Sequence, residues 1–531
     1  MNGYPKSRYC FNSAFLKMKL RSACNQFGDL FSEFSKFIAP TYYHDRCERS
    51  VQMRLYTLHK REFVLLFLVF IALYTLCVVI GLAGPSTSST VSLHATDIKP
   101  ELNRSIMATG PFLLKSPTLS AYSQQLQVTA QIIILNEDEE ETFDKTFDVN
   151  VVVYGISDKN EHMLVSDKKH NKNRTRDLHC SKKICDAITV LHLGFLEYSH
   201  YVITIRFYGL ETIDEKYQIT DVLFQFQSYN PAYTKMEIWF RMIFLIVTFY
   251  VTCWFSHSLR HFIHHDWSYE QKWMFVLLPL LLLYNNPIFP MSFLFNSWLP
   301  GMLDVTFQAS FVSAMLFFWL CAYHGIRQNK RKFLSFYFPK CIIVGLLWIS
   351  TVILTSSQKY HELQDPTFDY HLDIQNFTGF KIFFGIVCIF YFLYLACLVV
   401  KAYTEVHSMP YFDLRLKFQT FTMIIVILNS VTNMVLNIKT SILKDNFMAD
   451  FTHNYSSSAQ FLSFYGLLNF YLYNMAYVYS PPGNAVLESR VKDNPALSMI
   501  DDSDEEVIYG SDAEGRLLNP VQPGPDKEES D

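Results

Sequence analysis

Charge is scarce in this chain. Aspartate, glutamate, lysine and arginine make up 18% of its 531 residues, while hydrophobic types make up 50% and aromatics 16%. That balance excludes an ordinary soluble protein of this length, in which about a quarter of residues are charged. The motifs of common catalytic centres are also missing: there is no glycine-rich phosphate loop, no nucleophile elbow, no thiol motif and no HExxH helix. No enzyme is indicated and no cofactor is implied. A formal net charge of −4 supplies no basic surplus for a nucleic-acid partner.

What is present is apolar length. Eight windows near 63–82, 238–255, 273–294, 304–324, 338–356, 380–400, 418–438 and 459–479 carry the hydrophobic surplus. About 20 residues at 1.5 Å rise cover the hydrocarbon core, so each window is long enough to cross a bilayer. The first, FVLLFLVFIALYTLCVVIGL from Phe63, holds no charge, and the length of chain ahead of it makes it an anchor helix rather than a signal peptide. Arg49, Arg54, Lys60 and Arg61 precede it, which places the N-terminus in the cytosol. The later loops alternate in the same sense: nine basic residues fall in loops assigned to the cytosol, against three (Lys359, Lys439 and Lys444) outside. Four glycosylation acceptors, Asn103, Asn173, Asn376 and Asn454, all land in segments placed outside. The expected layout is a cytosolic arm over 1–62, an anchor helix over 63–82, an extracytoplasmic domain over 84–235, a seven-helix bundle over 238–479 and a disordered acidic cytosolic tail over 480–531. Such a chain resides in the secretory pathway or at the cell surface, with the lipid bilayer as its first partner.

Residues 84–235 change period. Leu126, Val128, Ala130, Ile132 and Ile134, then Phe147, Val149, Val151 and Val153, then Tyr201, Ile203, Ile205 and Phe207, then Val222, Phe224 and Phe226 alternate with polar residues. Alternation at period two predicts an antiparallel all-β sandwich. The NEDEEE run from Asn136 reads as a solvated hairpin loop, since it lacks the spaced ligands of a calcium loop. Of eleven cysteines only Cys180 and Cys185 lie on the oxidising side outside the membrane, and they are expected to close a small disulfide loop.

Polar residues interrupt the membrane windows at defined places. NNPIFP, from Asn285 and Asn286 to Pro290, breaks the third span, and broken backbone at membrane depth must face protein or water. Asn429, Asn433 and Asn437 share one helical face, and the last window adds Gln460, Asn469 and Asn474. Amides so placed either hold helices together or line a cavity for a ligand or lipidated cargo. Glu237 and Arg241, one turn apart at the outer end of the second span, are expected to snorkel and pair at the interface. His257, His261, His264 and His265 have a spacing that can share a helical face, yet no second cluster supports a metal. No metal is assigned, and a weakly basic rim is the plainer reading.

The two ends read as interaction surfaces. Phe27, Leu30, Phe31, Phe34 and Ile38 recur at helical spacing in the arm. In the tail, Ser503 and Ser511 stand in the acidic context of phosphorylation sites, and the acidic cluster is a candidate surface for sorting adaptors. Tyr411 to Leu414 forms a tyrosine-x-x-bulky pattern in a cytosolic loop.

Long contiguous segments carry a resemblance. MRLYTLHKREFVLLF from Met53, EIWFRMIF from Glu237, EQKWMFVLLPLLLLYNNPIFPMSFLFNSWLPGMLD from Glu270, MPYFDLRLKF from Met409, FLSFYGLLNFYLY from Phe461 and KDNPALSMIDDSDEEVIYGSD from Lys492 resemble the transmembrane protein 181 family. The resemblance implies a Wntless-like fold: a lumenal GOLD-type β-sandwich after a first helix, then seven helices arranged as in G-protein-coupled receptors. It also implies a receptor or trafficking role, and a part in bacterial toxin uptake, with no catalytic residues. Three function classes stay open: a cargo or ligand receptor, an orphan signalling receptor and a metal-dependent membrane hydrolase. The inner ends CAYHGIRQ and NMAYVYSPP lack the usual G-protein-coupling signatures, and the hydrolase rests on the histidines alone.

Overall fold

The computed structural model describes residues 51–98, 104–135, 142–156, 162–165, 173–181, 184–211, 217–327, 333–368, 377–406, 410–440 and 455–483. The arm helix, the NEDEEE run, Asn103, Asn376, Asn454, Ser503 and Ser511 lie outside the described residues.

The charge-free run forms helix α1, Lys60–Leu82, whose first turn is fixed by Glu62 accepting from the His59 amide at 3.2 Å. Among the described residues the chain that follows forms ten strands, the period-two segments among them: β1 Ser88–His94, β2 Phe112–Lys115, β3 Leu126–Leu135, β4 Thr142–Ile156, β5 His162–Leu164, β6 Arg174–Ser181, β7 Ile184–Cys185, β8 Ile188–Leu193, β9 His200–Tyr208 and β10 Gln218–Tyr229. They make one hydrogen-bonded path, β1-β10-β3-β7-β6-β4-β9-β2, with β8 on β3 and β5 on β4. The path is folded into two layers. Val128, Ile132, Val151, Ile203 and Phe224 point into one shared core, and Phe112 of β2 meets Phe224 of β10 at 5.2 Å although their strands are far apart along the path. The two-residue β7 is the corner between the layers. A disulfide joins Cys180 to Cys185 across it; a loop this short gains about 2 kcal/mol from closure, enough to pin a corner rather than to carry the domain.

The helical region comprises α2 Pro231–Leu259, α3 Tyr269–Tyr284, α4 Trp298–Arg327, α5 Phe338–Gln364, α6 Phe377–Val406, α7 Pro410–Thr440 and α8 Ser458–Tyr479. Among the described residues, seven helical segments, in α1 to α7, are long and apolar enough to cross a membrane. The eighth window is a helix as well, but a different kind. α8 has 17 of its 22 residues buried, because lipid offers its tyrosines, serines and amides no hydrogen-bond partners. It runs along α1 through small residues: a Cβ on Gly81 would stand 2.5 Å from the Ala459 Cα, and Gly466 faces Cys77. Consecutive helices reverse direction. The starts of α2, α4 and α8 therefore share the end that carries the sandwich, and the starts of α3, α5 and α7 share the far end. The Tyr411 to Leu414 pattern lies in the first turn of α7 rather than in a loop.

Candidate functional site

The sandwich passes into the bundle through one residue. Asn230 caps α2 by accepting from the Ala232 amide at 3.0 Å, and Pro231 supplies a first-turn φ already suited to a helix. Seven and eleven residues on, Glu237 and Arg241 point inward, at 6% and 3% exposure, and not toward the headgroups. The expectation that they snorkel is corrected by what faces them. Arg241 donates Nε and Nη2 to Glu237 Oε1 at 3.1 and 2.8 Å and Nη1 to Asp304 Oδ1 of α4 at 3.1 Å, with its guanidinium 3.9 Å from the Phe289 ring centroid. Asn286 Nδ2 also donates to Asp304, and Gln308 Nε2 does so at 3.2 Å. With partners from three helical segments, the charges are satisfied in place and gain nothing by reaching for water. Asp304 escaped the sequence reading, though a lone acid in an apolar window is itself a signal.

The break after α3 completes this site. Asn286 adopts φ +41°, a left-handed conformation that asparagine tolerates, and its Oδ1 accepts from the Ile288 amide at 2.9 Å before a short 3-10 turn. Asn285 donates to Thr248 Oγ1 of α2 at 2.8 Å and to Asn469 Oδ1 of α8 at 2.9 Å, and Asn469 donates back at 3.2 Å. A shallow notch opens beside the break, lined by Ile238, Arg241, Met242, Asn286, Phe289 and Pro290. The other amides are distributed elsewhere. Asn429 accepts from Tyr74 of α1 at 3.0 Å, the Asn433 carbonyl accepts from Gln460 at 3.0 Å, and Asn474 is buried in α8. The side chain of Asn437 lies outside the description.

The histidines are not drawn together. α2 ends at Leu259, so the helical spacing stops before His261. His261 accepts from Arg260 Nε at 3.0 Å, the His264 ring lies 4.9 Å from that of Trp267, and His265 pairs with Asp266 at 3.5 Å. Among the described residues no group of three metal-ligating side chains is arranged to hold an ion.

A second contact, absent from the sequence reading, locks the sandwich to the end of α5. Arg174 and Arg176 lie two apart on β6 and so share a face. Arg174 pairs with Asp365, Arg176 Nη2 donates to the Thr367 carbonyl at 2.6 Å, and the His192 amide of β8 donates to the Pro366 carbonyl at 2.7 Å. The Nδ1 atom of His192 lies 3.6 Å from Glu362, which also accepts from Gln358 and Lys359. Burial raises the Asp365 pKa, but the Thr367 hydroxyl and amide and the Arg174 guanidinium outweigh it and hold the carboxyl below its usual range. Asn173, beside this clamp, is exposed and accepts from Asn150 at 3.1 Å.

A sandwich seated on a helical bundle, with buried charges at the seam, defines a multi-pass membrane protein of Wntless-like architecture. Residues 230–483 match the family model "Wntless-like, transmembrane domain", and residues 110–229 match "TMEM181, GOLD domain". The chain is 48% identical over 482 residues to human "Transmembrane protein 181", covering 90% of this chain and 98% of the human protein. The chain belongs to the transmembrane protein 181 family. It is also 23% identical over 350 residues to "Protein wntless homolog B" of Xenopus laevis and 22% identical over 325 residues to "Protein wntless homolog" of Rattus norvegicus, spanning 62% and 58% of those proteins.

Proposed function

We propose that this chain is a non-enzymatic receptor that handles a protein or lipidated ligand met by its β-sandwich on the lumenal or extracellular side, in secretory traffic or at the cell surface. The observation that carries the reading is the seam between the two regions. The sandwich is tied to the bundle where α1 leads into it, where it leads into α2, and through Arg174 and Arg176 on the end of α5. Beneath it lie the buried Glu237, Arg241 and Asp304 and the broken end of α3. A ligand gripped by the sandwich would therefore bear on helices that have polar partners and a break to rearrange. A lipid-modified ligand would place its chain along the bundle, beside the notch at the break after α3. Both termini are cytosolic in this reading, Asn103, Asn173, Asn376 and Asn454 carry glycans, and the acidic tail with Ser503 and Ser511 meets sorting adaptors. A host-factor role in toxin uptake belongs to the same reading, since an arriving protein meets the sandwich first.

Proximity labelling from the sandwich in living cells identifies the partner. Removal of residues 84–235 is expected to abolish its association, while replacing His257, His261, His264 and His265 together leaves it intact. Association that survives the deletion and activity that is lost with the histidines would turn the assignment to the metal-dependent hydrolase.

A further inference from the structure

At the end of the bundle away from the sandwich, where α3 and α7 begin and α8 ends, a second polar cluster is buried. Ser268 caps α3 by accepting from the Gln271 amide at 3.2 Å, which puts Glu270 in the first turn, where the helix dipole favours a carboxylate. One oxygen of Glu270 pairs with Arg415 of α7, and the two side chains are 1% and 7% exposed. The other oxygen, Oε2, is buried and has no hydrogen-bond partner among the described residues. One turn beyond Arg415, Gln419 is buried, and among the described residues neither its amide atoms nor the buried hydroxyl of Tyr479 at the end of α8 has a hydrogen-bond partner. Native cores leave few such atoms without a partner, so these are the groups at this end of the bundle that gain hydrogen bonds if the helices part.

The surrounding ties are uneven. The chain ahead of α1 straps α8 and the turn before α3: the Val51 amide donates to the Asp266 carbonyl at 2.8 Å, and the Arg54 amide to the Ser480 carbonyl at 2.8 Å. Gln271 Nε2 adds a bond from α3 to the Tyr479 carbonyl at 3.0 Å. Among the described residues, α7 is held at this end by side chains: Phe418 touches Phe63 and Tyr479 edge-on, at ring separations of 6.0 and 6.2 Å, Phe421 meets Phe67 at 5.3 Å, Tyr323 of α4 donates to Thr420 Oγ1 at 3.0 Å, and the ion pair joins α7 to α3.

We propose that Arg415 and Glu270 form a latch. Closed, it holds the start of α7 against α3; released, it lets α7 tilt and admits water to Gln419, Glu270 and Tyr479, opening a polar groove at the far end of the bundle. The two ions favour separation once water reaches them, because a buried pair is strong only while it stays dry and complete. The groove stands apart from whatever the sandwich binds and offers the bundle a second conformation.

The test uses full-length protein in lipid nanodiscs carrying Gln419→Cys, with maleimide reaction at that position read by mass spectrometry and the Cys180 to Cys185 bridge scored in the same sample as a folding control. With the latch intact, position 419 is expected to be protected. Glu270→Gln or Arg415→Gln should speed its labelling about ten-fold, the size of a typical coupling between states, and the charge swap Glu270→Arg with Arg415→Glu should restore protection. Equal protection in every variant overturns the proposal, as does free labelling with the latch intact. Should the single variants lose the bridge, the swap decides alone: a folded, protected swap supports the latch, and one that misfolds or stays reactive overturns it.

Discussion

α1 and α8 lie side by side and are built on opposite plans. α1 has a mean hydropathy of 3.1 over its span with 11% of it buried, whereas α8 falls short of the apolar composition of a lone span and buries 17 of its 22 residues. In water this ordering would be reversed. In a bilayer the most apolar helix can face lipid at no cost, and the helix with tyrosines and amides must be surrounded by protein. Hydropathy therefore marks what faces lipid, and its local weakness marks the centre of the bundle.

That contrast can be broken from the inside most severely. Asp304→Ala strips one carboxylate from buried Arg241 and is expected to cost about 3–5 kcal/mol, visible as loss of monodisperse protein or a lowered Tm in detergent. An unchanged Tm would mean that the network does not hold the bundle. Gly81→Leu attacks the seam itself, since even a Cβ there collides with Ala459; overpacking predicts about 1–3 kcal/mol and separation of α1 from α8. Cross-linking between the two helices that persists at the native level would contradict it. Asn469→Leu removes the amide that α8 shares with Asn285 and Thr248, for roughly 0.6–2 kcal/mol by thermal denaturation, and a stabilised variant would show the amides to be dispensable.

The outer surface sharpens the comparison by doing little. Leu68→Ala, on the lipid-facing side of α1, should stay within about 0.5 kcal/mol of the native protein; a large loss would place protein, not lipid, against that face. The clamp on α5 adds a pH argument with a definite sign. Because the Asp365 carboxyl is held below its ordinary value, its contribution is complete above about pH 5 and is lost as pH falls through the lower folded value. Hydrogen exchange of residues 362–368 should thus be the same at pH 7 and pH 5.5 after correction for intrinsic rates, and protection that is already lost at pH 5.5 would assign the clamp to another group.

Much of the fold was legible because its signals are local. The charge-free run after Phe63 needs no context to be a helix, and the alternation of Val149, Val151 and Val153 or of Ile203 and Ile205 states which face of a strand is buried. The break at Asn285 and Asn286 was readable from its prolines. Cys180 and Cys185 were legible by compartment, and the structure joins them. The candidate site was less so. Glu237 and Arg241 stood out as a pair, but their direction depended on Asp304, 63 residues beyond Arg241. The histidines promised a shared face that vanished where α2 stopped at Leu259.

The sequence by itself determined the eight helical stretches, the β-rich insertion between the first two and the polar residues set among apolar ones, because length, period and composition act over a few turns of chain. Only the tertiary structure decided that Arg241 is satisfied by two carboxylates instead of by water, that Arg174 and Arg176 clamp the end of α5, and that α8 is the helix at the centre. Those outcomes rest on partners brought together from distant parts of the chain, because a charge at membrane depth is costly until such partners arrive.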